Sequence, residues 1–586
     1  ARTNLRASQY CDIRSAYLES LSFLKQGLAL LDDEKKWSDN YDLSLDLTES
    51  LARKNLIVGN LEECKALNKE VALRAKTSDT ICKFFLLEAD VHIAADDLSG
   101  LISAGIQAIN KLGLTRFLLN KPAMALCAFF KAAKVGKQLD KTTNEEILEL
   151  PHSEDSSLST TIFILNRLST LGVLKQQYLL GAYCTFLAME LTITKGLCPS
   201  TPEVFNLYAA FDLHYYRGEG RRWPRLNGLA IKLLKKFSFK RADCHTLPSL
   251  AITSFYRKRR IHEIFAFYPH ALKDGYEKGD IVSLATCASL LFNAEVWMDE
   301  SLPLLEKKFR ATYVQMKELG HSKVAMPIEP VIQLVLNMQN ENGSRDELIL
   351  LNGEIMNERK FLSDCPVNKE SFQRLFFLLL KLYLAYTFDF YDLAEDMFQK
   401  VLAVTNFFME KSFLHFPFRL YMAMTSYEKY RRTGNKKYLK IPRKVLKRFA
   451  REHCLGNPNA YPYFKVLEME DISISSSTSD PIKLFMAIDS SIKAQAGYGF
   501  THLEALAHER ASHLLLPFDR ESAKRHYDYA MHIYNKKWGA TAKYKIMQEE
   551  GANIFTIEES DSKQVHDVGE IKVSLSTPPV SISTAD

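Results

Sequence analysis

Small and apolar residues recur three and four positions apart along most of this 586-residue chain. That spacing places them on one face of an α-helix. The pattern is sharpest from Glu504 to Ile546. Glu504, Ala505, Ala507, Ala511 and Leu514 mark one stripe, Ala523, Tyr527, Ala530 and Tyr534 mark a second, and Trp538, Gly539 and Ala540 close the stretch. Phe518-Asp519-Arg520 breaks the two stripes apart. Small residues at Ala511, Ala523 and Ala530 predict close helix approach, with the Tyr527 ring filling the space beside them.

The same offsets of 0, +4 and +7 return at Ser20, Leu24 and Gly27, at Cys64, Asn68 and Val71, and at Leu101, Gly105 and Ala108. The three anchors Ser20, Cys64 and Leu101 are 44 and 37 residues apart. A degenerate period of that size predicts a tetratricopeptide-like α-solenoid of antiparallel helix pairs. No stretch alternates with period two between hairpin turns, so the expected fold class is all-α. Polar stretches divide the chain into helical repeats over 1–139, a polar loop at 140–161 and middle repeats over 162–338. Further repeats follow over 339–470, opening on the surface loop Gln339 to Glu347. A Ser-rich linker at 471–479, terminal hairpins over 480–550 ending in WGATAK, and a disordered tail at 551–586 complete the expected order.

Composition adds little beyond this. At 47% hydrophobic and 25% charged the chain has the balance of a soluble globular protein, and a net charge of +6 over this length does not by itself call for nucleic acid. The ten cysteines never form a Cys-x-x-Cys pair, which argues for buried reduced thiols rather than zinc. The longest apolar run, Leu375 to Phe388, is too short to span a bilayer and carries Lys381. No transmembrane segment is expected, and the expected location is cytoplasmic.

Catalytic motifs are missing. Neither a phosphate-binding loop nor a dinucleotide fingerprint is present, so no cofactor is expected. His508 and His513 lie five apart, on different helix faces, and do not make a zinc helix. The strongest charged features are Arg257-Lys258-Arg259-Arg260 and the run from Lys436 to Arg451. In the second, Lys437, Lys440, Lys444, Lys447 and Arg451 recur on one side, while Leu439, Val445, Leu446 and Phe449 supply an apolar side. This is a solvated amphipathic helix or a docking face for an acidic protein or anionic headgroups. A second basic junction, Arg217, Arg221, Arg222, Trp223 and Arg225, reads as packing.

The pattern ALAHERASHLLL…AKRHYDYAMHIYNKKWGATAK, with Trp538, Gly539, Ala540, Ala542 and Lys543, resembles the end of the helical-repeat region of very large signalling kinases. In that family the region follows a STAND-type ATPase module and precedes a GAF and histidine-kinase output. The first repeats from Tyr17 to Gly113 and the junction from Gly275 to Leu291 resemble the same region. The resemblance implies a non-catalytic sensing or scaffolding arm that binds a protein or ligand and relays to an attached ATPase or kinase. The modules that would carry catalysis lie outside this chain, and a polar tail stands where the output domain would follow. The alternatives are a stand-alone adaptor for peptides and an unrecognised helical enzyme.

Overall fold

The computed structural model of the protein describes residues 1–14, 16–32, 35–74, 97–113, 120–174, 177–215, 222–237, 255–265, 271–273, 281–318, 325–365, 372–404, 412–475 and 481–556, with isolated positions between 77 and 92. Tyr276, Gly279 and Asp280, and Arg217 and Arg221, lie outside the described residues, as does 557–586.

The longer helices, in chain order, are Arg2–Ile13 (α1), Tyr17–Ala29 (α2), Tyr41–Ile57 (α3), Leu61–Arg74 (α4), Leu98–Leu112 (α5), Lys121–Lys141 (α6), Ser156–Leu174 (α7), Tyr178–Lys195 (α8), Thr201–Tyr215 (α9), Trp223–Lys236 (α10) and Ile281–Glu295 (α11). Then come Leu302–Glu318 (α12), Glu329–Gln339 (α13), Phe372–Thr387 (α14), Tyr391–Val404 (α15), His415–Thr433 (α16), Lys440–Cys454 (α17), Ala460–Ser475 (α18), Pro481–Ala496 (α19), Thr501–Leu515 (α20), Arg520–His532 (α21) and Thr541–Thr556 (α22). The fold is all-α. Among the described residues the only extended pairing is an isolated bridge between His152 and Leu197.

Neighbouring helices pack as pairs: α1 with α2, α3 with α4, α7 with α8, α9 with α10, α14 with α15, α18 with α19 and α20 with α21. The repeated small residues lie where helices meet, within these pairs or, as at Gly27, between one pair and the next. Ser20, Leu24, Gly27, Cys64, Val71 and Ala108 are all buried. A Cβ added at Gly27 would come 2.9 Å from a Leu47 methyl, so α2 and α3 approach through the missing side chain. Asn68, at a ring position, is buried too, and its amide donates to Glu88 at 2.8 Å.

A second set of contacts joins residues about two hundred positions apart. Lys258 donates to the Leu455 carbonyl at 2.7 Å, the Ile261 N–H to Asn459 Oδ1 at 3.0 Å, and Thr541 Oγ1 to the Gln339 carbonyl at 2.8 Å. The offsets are 197, 198 and 202 residues. The segment from 258 onward therefore runs alongside the segment from 455 onward in the same direction.

Several boundaries differ from those expected. Residues 471–475 continue α18 instead of opening a linker, and 551–556 continue α22 instead of opening a tail. A short helix, Asn144–Leu148, interrupts the loop at 140–161; Thr143 and Glu146 close a capping box on it. In each case a local cap or a tertiary partner outweighs polar composition.

The interior between α16, α18 and α20 is ionic. Arg510 Nη2 meets Glu428 at 2.6 Å and its Nε donates to Glu470 at 2.6 Å. Arg431 reaches the same two carboxylates, at 2.8 Å on Glu428 and through its other amino group on Glu470. Glu470 is 0% exposed. Burial alone would raise its pKa, but the guanidiniums of Arg431 and Arg510 outweigh burial and bring it down to about 2. Beside this square, Glu509 pairs with Lys543 at 2.8 Å and accepts from Tyr534 at 2.8 Å, and Lys543 also donates to the Thr387 carbonyl at 3.1 Å. Removing one member strands charge away from water, which costs about 3–5 kcal/mol.

Glu470→Gln is therefore expected to lower urea-unfolding stability at neutral pH by about 3–5 kcal/mol. Because the folded carboxyl titrates below its ordinary value of 4.5, its contribution is present above that pH and is lost as pH falls toward about 2. The gap between wild type and Glu470→Gln should shrink over that window; a constant gap would contradict the assignment.

Candidate functional site

The run from Lys436 to Arg451 forms one turn of 3-10 helix, Lys436–Leu439, followed by α17. Asn435 starts the turn by accepting from the Lys437 N–H at 3.1 Å. Leu439, Pro442, Val445 and Phe449 are buried, and Leu446 is partly buried. Phe449 packs on Phe416 of α16 and Tyr463 of α18, at centroid distances of 5.3 and 6.0 Å. Docking of this apolar side turns the basic side outward.

Lys437, Lys440, Lys444, Lys447 and Arg451 are all exposed. Lys437 lies over the Tyr438 ring at 4.9 Å. Among the described residues, Lys437, Lys440, Lys444 and Lys447 make no ion pair; between them, Arg443 is tied to Asp471 at 3.3 Å. Two features of this ridge work against the helix itself. The first turn of α17 has no acid and holds Lys440, opposing the helix dipole. Like charges also fall four apart at Lys440 and Lys444, Arg443 and Lys447, and Lys447 and Arg451, each pair destabilising by a few tenths of a kcal/mol.

The other basic run is brought to the C-terminal end of the ridge. Lys258 caps the Leu455 carbonyl, where a cation complements the helix dipole. Arg259 pairs with Glu263 at 3.4 Å, and Arg260 donates to the Gly497 carbonyl at 2.9 Å while lying 4.8 Å over Tyr498. Lys258 and Arg259 remain exposed beside Leu455 and so extend the ridge. The join is invisible in sequence, because it rests on contacts 197 residues long.

The Arg222–Arg225 junction is structural. Arg222 chelates Asp140 with two bonds of 2.6 Å and reaches Asp212 at 3.3 Å, while Arg225 binds Asn144 and the Leu139 carbonyl at 2.7 Å each. Phe376, Phe377 and Phe388 are core residues. Phe407 and Phe408 lie outside the described residues.

The signature of the 504–546 stretch lies inside. Ala511, Ala523, Tyr527, Ala530, Trp538 and Ala540 are buried and Leu514 is partly buried. Asp519 caps α21 by accepting from the Ser522 N–H at 2.9 Å. A π-turn, Ile533–Trp538, ends at Gly539 with φ +80°. A Cβ there would come 2.7 Å from Pro303 Cδ, so this glycine is required both by backbone and by the approach of α12. WGATAK is thus a junction into α22, where Lys543 enters the ionic interior. His508 is buried, and its Nδ1 lies 2.9 Å not from His513 but from His526 Nδ1, a pairing that the sequence does not show.

Among the described residues no helix is long and apolar enough to cross a membrane, and no three His, Cys, Asp or Glu are placed to hold a metal ion. No protein-family model matches the chain, and no curated protein matches it.

Because the ridge lysines contribute no pairing to the fold, Lys440→Glu, Lys444→Glu and Lys447→Glu should each change unfolding stability by no more than about 0.5 kcal/mol. Lys440→Glu should fall on the stabilising side, as an acid in the first turn complements the dipole. Thermal melts of the three variants check this, and a loss of several degrees in any would place that lysine in the fold.

Proposed function

We propose that this protein is a non-catalytic helical-repeat scaffold whose α17 ridge docks an acidic segment of a partner protein. The observation that carries the reading is the unpaired series Lys437, Lys440, Lys444 and Lys447. Like charges spaced four apart, with one of them in the first turn, lower the stability of their own helix. A partner's carboxylates would relieve both effects at once, and complementary charge speeds encounter.

The sequential helix pairs and the contacts at offsets of 197, 198 and 202 residues support a tetratricopeptide-like superhelix, in which one turn lies on the next. Cys11, Cys127, Cys184, Cys198, Cys287 and Cys454 are free thiols, which suits the reducing cytoplasm. The WGATAK resemblance extends the proposal to a relay: partner docking would be passed to an ATPase or kinase module in a longer chain.

The test is fluorescence anisotropy with a labelled Glu/Asp-rich peptide and its Gln/Asn counterpart at two salt concentrations. The wild-type chain should bind the acidic peptide in a salt-sensitive way. Combined reversal of Lys437, Lys440, Lys444 and Lys447 to Glu should weaken binding at least tenfold, equivalent to about 1.4 kcal/mol. Equal affinity for the two peptides, or no change on reversal, would remove the ridge from the function. Duplex DNA and anionic vesicles are run in parallel, and binding to either without the peptide would replace the proposed partner class.

A further inference from the structure

A second surface is chemically different from the ridge. Helix α6 is apolar on both sides. Met124, Ala128, Val135, Gly136 and Leu139 are buried, and the helix packs against α8. On the opposite side Leu126, Phe129 and Phe130 are 60%, 69% and 61% exposed. With Pro122 and Ala133, also exposed, they form one stripe along three turns. Exposed large apolar side chains in one contiguous stripe mark interaction sites. The Phe129 and Phe130 rings meet each other edge to face at 5.9 Å.

The charges around the stripe define what can cover it. Lys121 lies at its N-terminal end and Lys137 at its C-terminal end, both exposed and without an ion pair among the described residues. Lys131 and Lys134 flank it but are held by Glu190, the latter at 2.9 Å. Asp140, the helix's one acid, is taken by Arg222. A second copy of this chain laid antiparallel on the stripe would bring the Lys137 end of each helix against the Lys121 end of the other. Like charges would then meet at both ends.

We infer that the exposed face of α6 is a docking site for an amphipathic helix of a partner protein, with large apolar residues at i, i+3, i+4 and i+7 and with Glu or Asp at both ends. Apolar side chains of the partner seat around Leu126, Phe129 and Phe130, and its terminal carboxylates meet Lys121 and Lys137. The stripe from Pro122 to Ala133 is about 17 Å long at 1.5 Å per residue, the reach of a three-turn helix.

The full chain tests this against two synthetic helical peptides with the same leucine stripe, one carrying Glu and the other Lys at its ends. The Glu-ended peptide should bind wild type at least tenfold more tightly than the Lys-ended peptide. Combined Leu126→Ser, Phe129→Ser and Phe130→Ser should abolish binding with the circular dichroism spectrum and melting temperature unchanged, since all three side chains are exposed. Combined Lys121→Glu and Lys137→Glu leaves the apolar stripe intact and should reverse the peptide preference. Binding of neither peptide, or equal binding of both, overturns the proposal. So does stripe-dependent binding to phosphatidylserine vesicles in place of the peptide, or a wild-type dimer that the serine variant dissociates. Because the ridge lysines are untouched in every variant, the acidic-peptide result on α17 stands or falls separately.

Discussion

Arg510 sits buried between Glu428 and Glu470, and the arrangement of the C-terminal helices depends on that contact. Its two partners, Glu428 and Glu470, come from α16 and α18, so one guanidinium fixes the spacing of three helices. Buried ion pairs of this kind contribute little net stability over an apolar core, but they admit very few packings, because any slip strands a charge. Helix α17 lies between α16 and α18 in the chain and packs on both. Its outward pose follows from theirs.

That link joins the interior to the surface. The apolar residues of α17 are seated by Phe416 and Tyr463, which lie on the same two helices as the ionic square, and the remaining face is turned to solvent. Its lysines repel each other along the helix, and one opposes the dipole. Such a face is poor for the helix and good for an acidic partner. The α6 stripe follows a different logic, since it leaves apolar area in water rather than unbalanced charge. The two proposals thus rest on two chemically distinct surfaces, one electrostatic and one apolar with charged ends.

Much of the fold was legible from spacing. Ser20, Leu24, Gly27, Cys64, Val71, Ala523, Tyr527 and Trp538 are buried because period and side-chain size together determine which residues can lie in a helix seam. The basic side of α17 was legible for the same reason. Polar composition misled at 471–475 and 551–556, where Tyr427 and Arg443 hold Asp471 and Tyr527 packs on Phe555, and around 144–148, where a capping box makes a short helix out of polar residues. The ionic square could not be read at all. Glu428, Glu470 and Arg510 look like ordinary surface residues in a helical pattern, and only long-range packing turns them inward. The junction of Lys258 with the end of α17 was hidden for the same reason.

Hydrogen–deuterium exchange on the full chain, with and without a saturating Glu/Asp-rich peptide, tests the central claim most directly. The account requires new protection along 436–455 and at 257–260, with the buried segments of α16, α18 and α20 already slow to exchange in both states. Protection appearing elsewhere, or rapid exchange through α18 in the free protein, would contradict an outward ridge held in place by a buried ionic core.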